Sequence, residues 1–201
     1  VTNNKKTVAV RFPKHTLLRN LLKKLDYPLA APSANMSSKL SSVNTLDVKD
    51  EFGPKIKYIL NGGKSKIGIE STIIDITSNP ILLRYGGLEV CKIEKILKKK
   101  IKIKINFKTK ISPGLFSVHY SPGIPIRKNV KFPKNDEAFV LIKKRKTFSK
   151  KFYYLTKKKN LVEAARNLYS IFRMIKKDGF KKIAVERIPN IGLGKTINDR
   201  L

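Results

Sequence analysis

The spacing of apolar and polar residues changes period several times along the chain, and each change predicts an element. Residues 7–12 alternate with period two, placing Val8, Val10 and Phe12 on one face and Thr7, Ala9 and Arg11 on the other, as in a strand. Behind Thr16, which can cap a helix, Leu17, Leu18, Leu21, Leu22 and Leu25 recur at helical spacing and predict a helix over 16–25. Strands are expected at 27–31, 57–60, 72–76 and 81–84 and helices at 44–52 and 88–99, so the first half is mixed α/β. A connector punctuated by Pro and Gly follows at 112–125. The pattern then restarts with strands at 138–143 and 152–156 and a helix over 160–177. That helix carries its apolar stripe on Leu161, Ala164, Ala165, Leu168, Ile171, Phe172 and Ile175. A strand at 182–187 completes a second, smaller α/β unit, and two linked units is the organisation implied. Between them, Ile alternates with Lys over 101–107, which suits an exposed edge strand or an extended linker, because Lys discourages edge pairing.

Composition narrows the function classes. With 201 residues and 41% hydrophobic content the chain can bury a real core. No apolar run approaches the roughly 20 residues of a membrane span, and the opening lacks the grading of a signal peptide, which reads as cytoplasmic with no membrane partner. The single Cys91 excludes an internal disulfide, and His15 and His119 are too far apart in sequence to suggest a helical metal pair. No metal ligand set is therefore assigned. The balance of 45 Lys+Arg against 14 Asp+Glu gives +31, which attracts polyanions such as RNA. Only nine of the 45 are Arg, however. Phosphate sites favour the fork of Arg, so the Lys excess, in company with many Ile and Asn, fits genomic composition better than a dedicated nucleic-acid site.

Candidate chemistry gathers in the first half. Ala30-Ala31-Pro32-Ser33-Ala34-Asn35-Met36-Ser37-Ser38, continuing to Ser41 and Ser42, places hydroxyls and small residues after a short predicted strand. Such a loop lets a ligand approach the backbone and offers Ser hydroxyls to phosphate or carboxylate oxygens, but from the residues alone a Ser/Asn-rich turn leading into a capped helix is the favoured reading. A second loop-to-strand transition runs from Gly62-Gly63 through Gly68-Ile69-Glu70-Ser71-Thr72 to Asp75. Gly194-Lys195-Thr196 imitates the end of a phosphate-binding loop, yet the first glycine of that motif would fall on Pro189, so 191–194 reads as a flexible loop before a helix at 198–201. No Ser/His/acid set and no nucleophile elbow is found, and no catalytic nucleophile is assigned.

Taken in order, these segments resemble a known family. Thr7-Val8-Ala9-Val10-Arg11-Phe12-Pro13, then Pro32-Ser33-Ala34-Asn35 with Ser37 and Ser41, then Gly62-Gly63, Gly68-Ile69-Glu70-Ser71-Thr72 and Leu82-Leu83-Arg84-Tyr85-Gly86, are similar to the later part of a YrdC-type domain. The connector, from Ser112-Pro113-Gly114 to His119-Tyr120-Ser121-Pro122, and the closing Gly192 to Leu201 resemble the long, two-domain form of that family, the threonylcarbamoyl-AMP synthases. The resemblance implies an α/β fold: a YrdC-like twisted-sheet domain over 1–100, truncated at its front, a connector over 101–129, and a smaller Rossmann-like α/β domain over 130–201, incomplete at its end.

It also implies a nucleotidyltransferase that makes threonylcarbamoyl-AMP and pyrophosphate from L-threonine, bicarbonate and ATP, with Mg²⁺ accompanying ATP. The product would pass to the downstream machinery that transfers threonylcarbamoyl to tRNA adenosine. Residue by residue, Thr7, Ser33, Ser41, Arg84 and Tyr120 match ATP-binding positions, and Arg11, Ala31 (through its backbone) and Ser71 match threonine-binding ones, with Asn35 bracing the loop or reaching the ligand. Tyr120 would close over the nucleotide from the connector, which is expected to act as a gate. Two departures qualify the match. Ser38 stands where the family usually has Gly, and the family's opening strands with their Lys-x-Arg segment have no counterpart before Val1, so this stretch is expected to be inactive alone. A noncatalytic RNA-binding YrdC-type module is the alternative reading. A carbamoyl-transferring maturation enzyme is disfavoured by the connector and second unit.

Overall fold

The structure is a computed structural model that describes residues 2, 4, 6–103, 121–147 and 149–201. Two sheets organise it. The first has three strands in the order β1-β2-β3, formed by β1 (Ile73–Asp75), β2 (Ile81–Arg84) and β3 (Lys102–Ile103). β1 and β2 are antiparallel, and β3 adds in parallel at the edge of β2. The Ile/Lys alternation thus delivers the exposed edge strand over 102–103 that Lys predicts, and residues 104–110 lie outside the described residues. The same half of the chain holds α1 (Thr16–Leu22), α2 (Thr45–Phe52), a 3₁₀ turn at Gly53–Lys55 and α3 (Val90–Leu97). The side chain of Asn44 caps α2 by accepting from the Asp47 amide at 2.9 Å.

The second sheet is wholly parallel and runs β4-β7-β5-β6, from β4 (Ile126–Arg127), β5 (Ala138–Lys143), β6 (Phe152–Thr156) and β7 (Ile183–Val185). One face of β5, with Ala138, Val140 and Ile142, packs on α4 (Leu161–Lys177) and α5 (Leu193–Arg200), while Phe139 and Leu141 fill the other face with Ala184. Burial on both faces is why β5 reads as a continuous apolar run rather than an alternating one. Asn160 opens α4 by accepting from the amides of Val162 and Glu163 at 2.8 and 3.0 Å. The stripe read from the sequence then goes inward, burying Ala164, Ala165, Leu168, Phe172 and Ile175, together with Tyr169.

Several expectations are corrected. No strand forms at 7–12, 27–31 or 57–60. Alternation supplies a face but not a partner, and among the described residues none of these segments has a ladder; Pro28 also removes a backbone donor. Residues 6–12 are exposed throughout. The helix expected over 16–25 stops at Leu22, and that over 88–99 spans only Val90–Leu97. Residues 193–194 are not loop: α5 begins at Leu193, and Gly194 is so close to Pro189 that a Cβ there would lie 1.8 Å from the carbonyl oxygen of Pro189.

Candidate functional site

The Ser-rich loop is built by its own polar side chains. Asn35 donates through Nδ2 to the carbonyls of Met36 and Lys39 at 2.9 and 3.0 Å, and Ser42 donates to the Ala34 carbonyl at 2.6 Å. Asn35 therefore braces the loop, and its Oδ1 is a buried acceptor without a hydrogen-bond partner among the described residues. Ser38 takes a left-handed conformation, φ 65°, so the residue standing at the family's usual Gly adopts the conformation that Gly favours. Ala31 and Ser33 are exposed on the approach to this loop.

Where the loop ends, it meets the Gly68–Thr72 segment and the second unit. Ser41 donates to Glu70 Oε1 at 2.6 Å. Tyr169 of α4 donates to both oxygens of Glu70 at 2.9 and 3.0 Å, and Arg200 Nε of α5 donates to Oε2 at 2.8 Å. Arg173 Nη2 donates to the carbonyls of Leu40 and Ser41 at 2.8 and 3.0 Å, and its Nη1 lies 3.3 Å from Asp47. Arg84 is buried and turned onto the backbone, with Nε and Nη2 donating to the Ser71 carbonyl at 3.1 and 2.8 Å. Burial, with Asp199 nearby, pushes the Tyr85 hydroxyl above its ordinary pKa.

The geometry thus brings Ser41, Ser71 and Arg84 to one wall, with the Asn35 loop leading into it. Thr7 and Arg11 are exposed on the unpaired segment before α1, where Arg19 stacks over Phe12 at 5.6 Å. Tyr120 and His119 lie outside the described residues, as does the rest of 104–120; just beyond, the Ser121 amide donates to the Ser38 carbonyl at 3.3 Å. Sequence reasoning passed over Glu70, Tyr169, Arg173 and Arg200. The available signal was the scarcity of acid: Glu70 is one of only 14 acidic residues against 45 basic ones and stands inside a motif otherwise made of small residues and hydroxyls. A separate open groove of about 1040 Å³, lined in part by Lys128, Phe132, Arg145 and Arg187, lies beside the second sheet and includes none of the site candidates.

This layout can be set beside known proteins. Residues 1–86 match the Sua5/YciO/YrdC family model (telomere recombination), and residues 88–201 match the model for the threonylcarbamoyl-AMP synthase C-terminal domain. The chain belongs to the threonylcarbamoyl-AMP synthase family. It is 33% identical over 221 residues to the threonylcarbamoyl-AMP synthase of Pyrococcus abyssi, and 29% identical over 223 residues to that of Bacillus subtilis. Each alignment takes in 100% of this chain and 64% of the relative. The crystal structure of P. abyssi Sua5 complexed with L-threonine superposes with a TM-score of 0.86 at 32% identity, again over 100% of this chain and 64% of that one. The chain therefore spans about 64% of the length of these relatives. The family's two-domain α/β architecture is the one seen here, an antiparallel-containing sheet unit followed by a smaller unit with a parallel sheet and flanking helices.

Proposed function

We propose that the protein is an L-threonylcarbamoyladenylate synthase, a nucleotidyltransferase. The observation that carries this reading is the whole-chain superposition on a family member holding L-threonine. In the reaction the threonine amine condenses with bicarbonate to give a carbamate and water. A carbamate oxygen then attacks the α-phosphorus of ATP, forming the acyl–phosphate bond and releasing pyrophosphate. Nothing in this sequence of steps needs a protein nucleophile. The protein's task is to hold two anions in line and exclude competing water.

Arg11 suits the threonine carboxylate because its guanidinium offers paired donors, with the Ala31 backbone and Ser71 completing that subsite. Thr7, Ser33, Ser41, Arg84 and Tyr120 are assigned to ATP. Arg84 Nε and Nη2 also hold the Ser71 carbonyl, which ties this ATP-assigned residue to the threonine subsite. Mg²⁺ enters with the triphosphate as part of the substrate; among the described residues no group of three or more His, Cys, Asp or Glu is placed to hold it, so phosphate oxygens and water would supply most of its ligands. The described residues include no helix long and apolar enough to cross a membrane, and we place the reaction in the cytoplasm, delivering its product to the tRNA threonylcarbamoyl-transfer machinery.

The test is pyrophosphate release by the full-length protein that requires both L-threonine and bicarbonate. Arg11→Ala is expected to weaken threonine more than ATP; equal loss of both, or no threonine dependence, would overturn the assignment. One observation favours a second reading, an RNA-binding module: the net charge of +31. RNA affinity that falls steeply with salt, in a protein insensitive to ATP plus threonine, would select it.

A further inference from the structure

The carboxylate of Glu70 is where the two units meet. Its side chain is 10% exposed and that of Arg200 is 1% exposed, so this ion pair is nearly cut off from solvent. A carboxylate can only accept, so Ser41 must spend its single hydroxyl proton on Glu70 Oε1 at 2.6 Å. Tyr169, fully buried in α4, and Arg200 of α5 hold the same carboxylate from the other side. With its proton committed, Ser41 Oγ can offer only lone pairs to anything bound beyond it. Such an atom recognises an N–H or O–H donor and is poorly suited to a phosphate oxygen.

The backbone around Glu70 is fixed by the same neighbours. Gly68, at φ +76°, lies so close to α4 that a Cβ there would fall 2.4 Å from the Arg166 carbonyl oxygen. The Gly87 amide donates to the Glu70 carbonyl at 2.8 Å, Thr196 of α5 donates to the Gly86 carbonyl at 3.0 Å, and Arg200 Nη2 donates to the Tyr85 carbonyl at 2.8 Å. Arg173 of α4 grips the carbonyls of Leu40 and Ser41. Main chain and side chain of the site wall are therefore both referenced to α4 and α5.

We propose that Glu70 is a positioning residue through which Tyr169 and Arg200 of the second domain orient Ser41, fixing its hydroxyl as a hydrogen-bond acceptor for a ribose hydroxyl or base N–H of the nucleotide. The inference rests on the reading of Ser41 as an ATP-facing residue. It gives the second domain a part in nucleotide recognition without contact between that domain and the nucleotide.

The experiment compares Tyr169→Phe, Ser41→Ala and their combination in the full-length protein. Tyr169→Phe keeps the ring and removes its bonds to Glu70. It is expected to raise the KM for ATP about fivefold while leaving the KM for threonine within about twofold, and adding it to Ser41→Ala should cost nothing further, because both act through one carboxylate. A purely structural role would lower stability and leave this split unmoved. Multiplicative effects of the two substitutions, or an unchanged KM for ATP, would overturn the proposal. If Tyr169→Phe does not fold, Glu70→Gln replaces it with the same criteria. Should the wild-type protein show no threonine- and bicarbonate-dependent turnover, the functional reading fails, and amide exchange decides the junction separately. Faster exchange at residues 40–43 in Tyr169→Phe would uphold the positioning role of Glu70, and unchanged exchange would refute it.

Discussion

The two units use the same kinds of sequence signal to opposite ends. α1 carries five leucines at helical spacing within or just beyond it, yet α1, α2 and α3 contain no fully buried residue, whereas α4 buries six. Val10 and Phe12 are 87% and 88% exposed, while Phe139, one strand position in a comparable apolar run, is 0% exposed. The difference is not hydrophobicity but company. β5 is flanked on both sides by parallel neighbours and shares one buried apolar cluster with residues of α4; residues 7–12 have no ladder partner among the described residues. Amphipathic spacing says which face would gain from leaving water, and the gain is realised only where a second surface closes over it.

The contrast is broken or sharpened first by core truncation. Phe172→Ala in α4 is expected to cost about 3–5 kcal/mol, whereas Leu21→Ala in α1, at a position 39% exposed, should cost under about 1 kcal/mol; urea denaturation of the two variants checks this, and equal losses would erase the distinction. Next comes the ion pair between the units. Arg200→Met strips a nearly buried carboxylate of its cation and should destabilise by about 3 kcal/mol, read as a lowered denaturation midpoint with an unchanged slope. A change in slope would show instead that the units had come apart.

Smaller effects follow from the caps. Asn160→Ala should lower global stability by about 1 kcal/mol, since α4 is central to the core, while Asn44→Ala, at a helix that buries nothing fully, should raise amide exchange within α2 and leave the global midpoint nearly unmoved. The smallest effect is the pH dependence of Glu137. Hydrogen bonds from Arg127, aided by the Lys134 amide, hold its carboxyl below the usual range. A carboxyl whose pKa is depressed by folding contributes stability that is complete above its unfolded pKa of about 4.3 and is lost as pH falls through the folded value. Glu137→Gln should therefore flatten the acid side of the stability profile, modestly, because Arg127 is 41% exposed. Parallel acid limbs for variant and wild type would remove this term.

The second unit was largely legible in the sequence. The strands at 138–143 and 152–156 and the helix following Asn160 form where alternation, apolar runs and a capping residue place them, because each of those signals is local and all three agree. The family's order of motifs was legible in the same way, and the loop bonds of Asn35 are equally local, reaching no farther than four residues. What the sequence could not declare was partnership over distance. The residues that hold Glu70 stand 29, 99 and 130 positions away in Ser41, Tyr169 and Arg200, and nothing in their local patterns distinguishes them from a cap, a core aromatic or a surface charge. Local period fixes backbone geometry through sterics and short hydrogen bonds. Which face is desolvated, and which acid meets which base inside, is set only when distant segments have excluded water together, and that was decided by the tertiary structure.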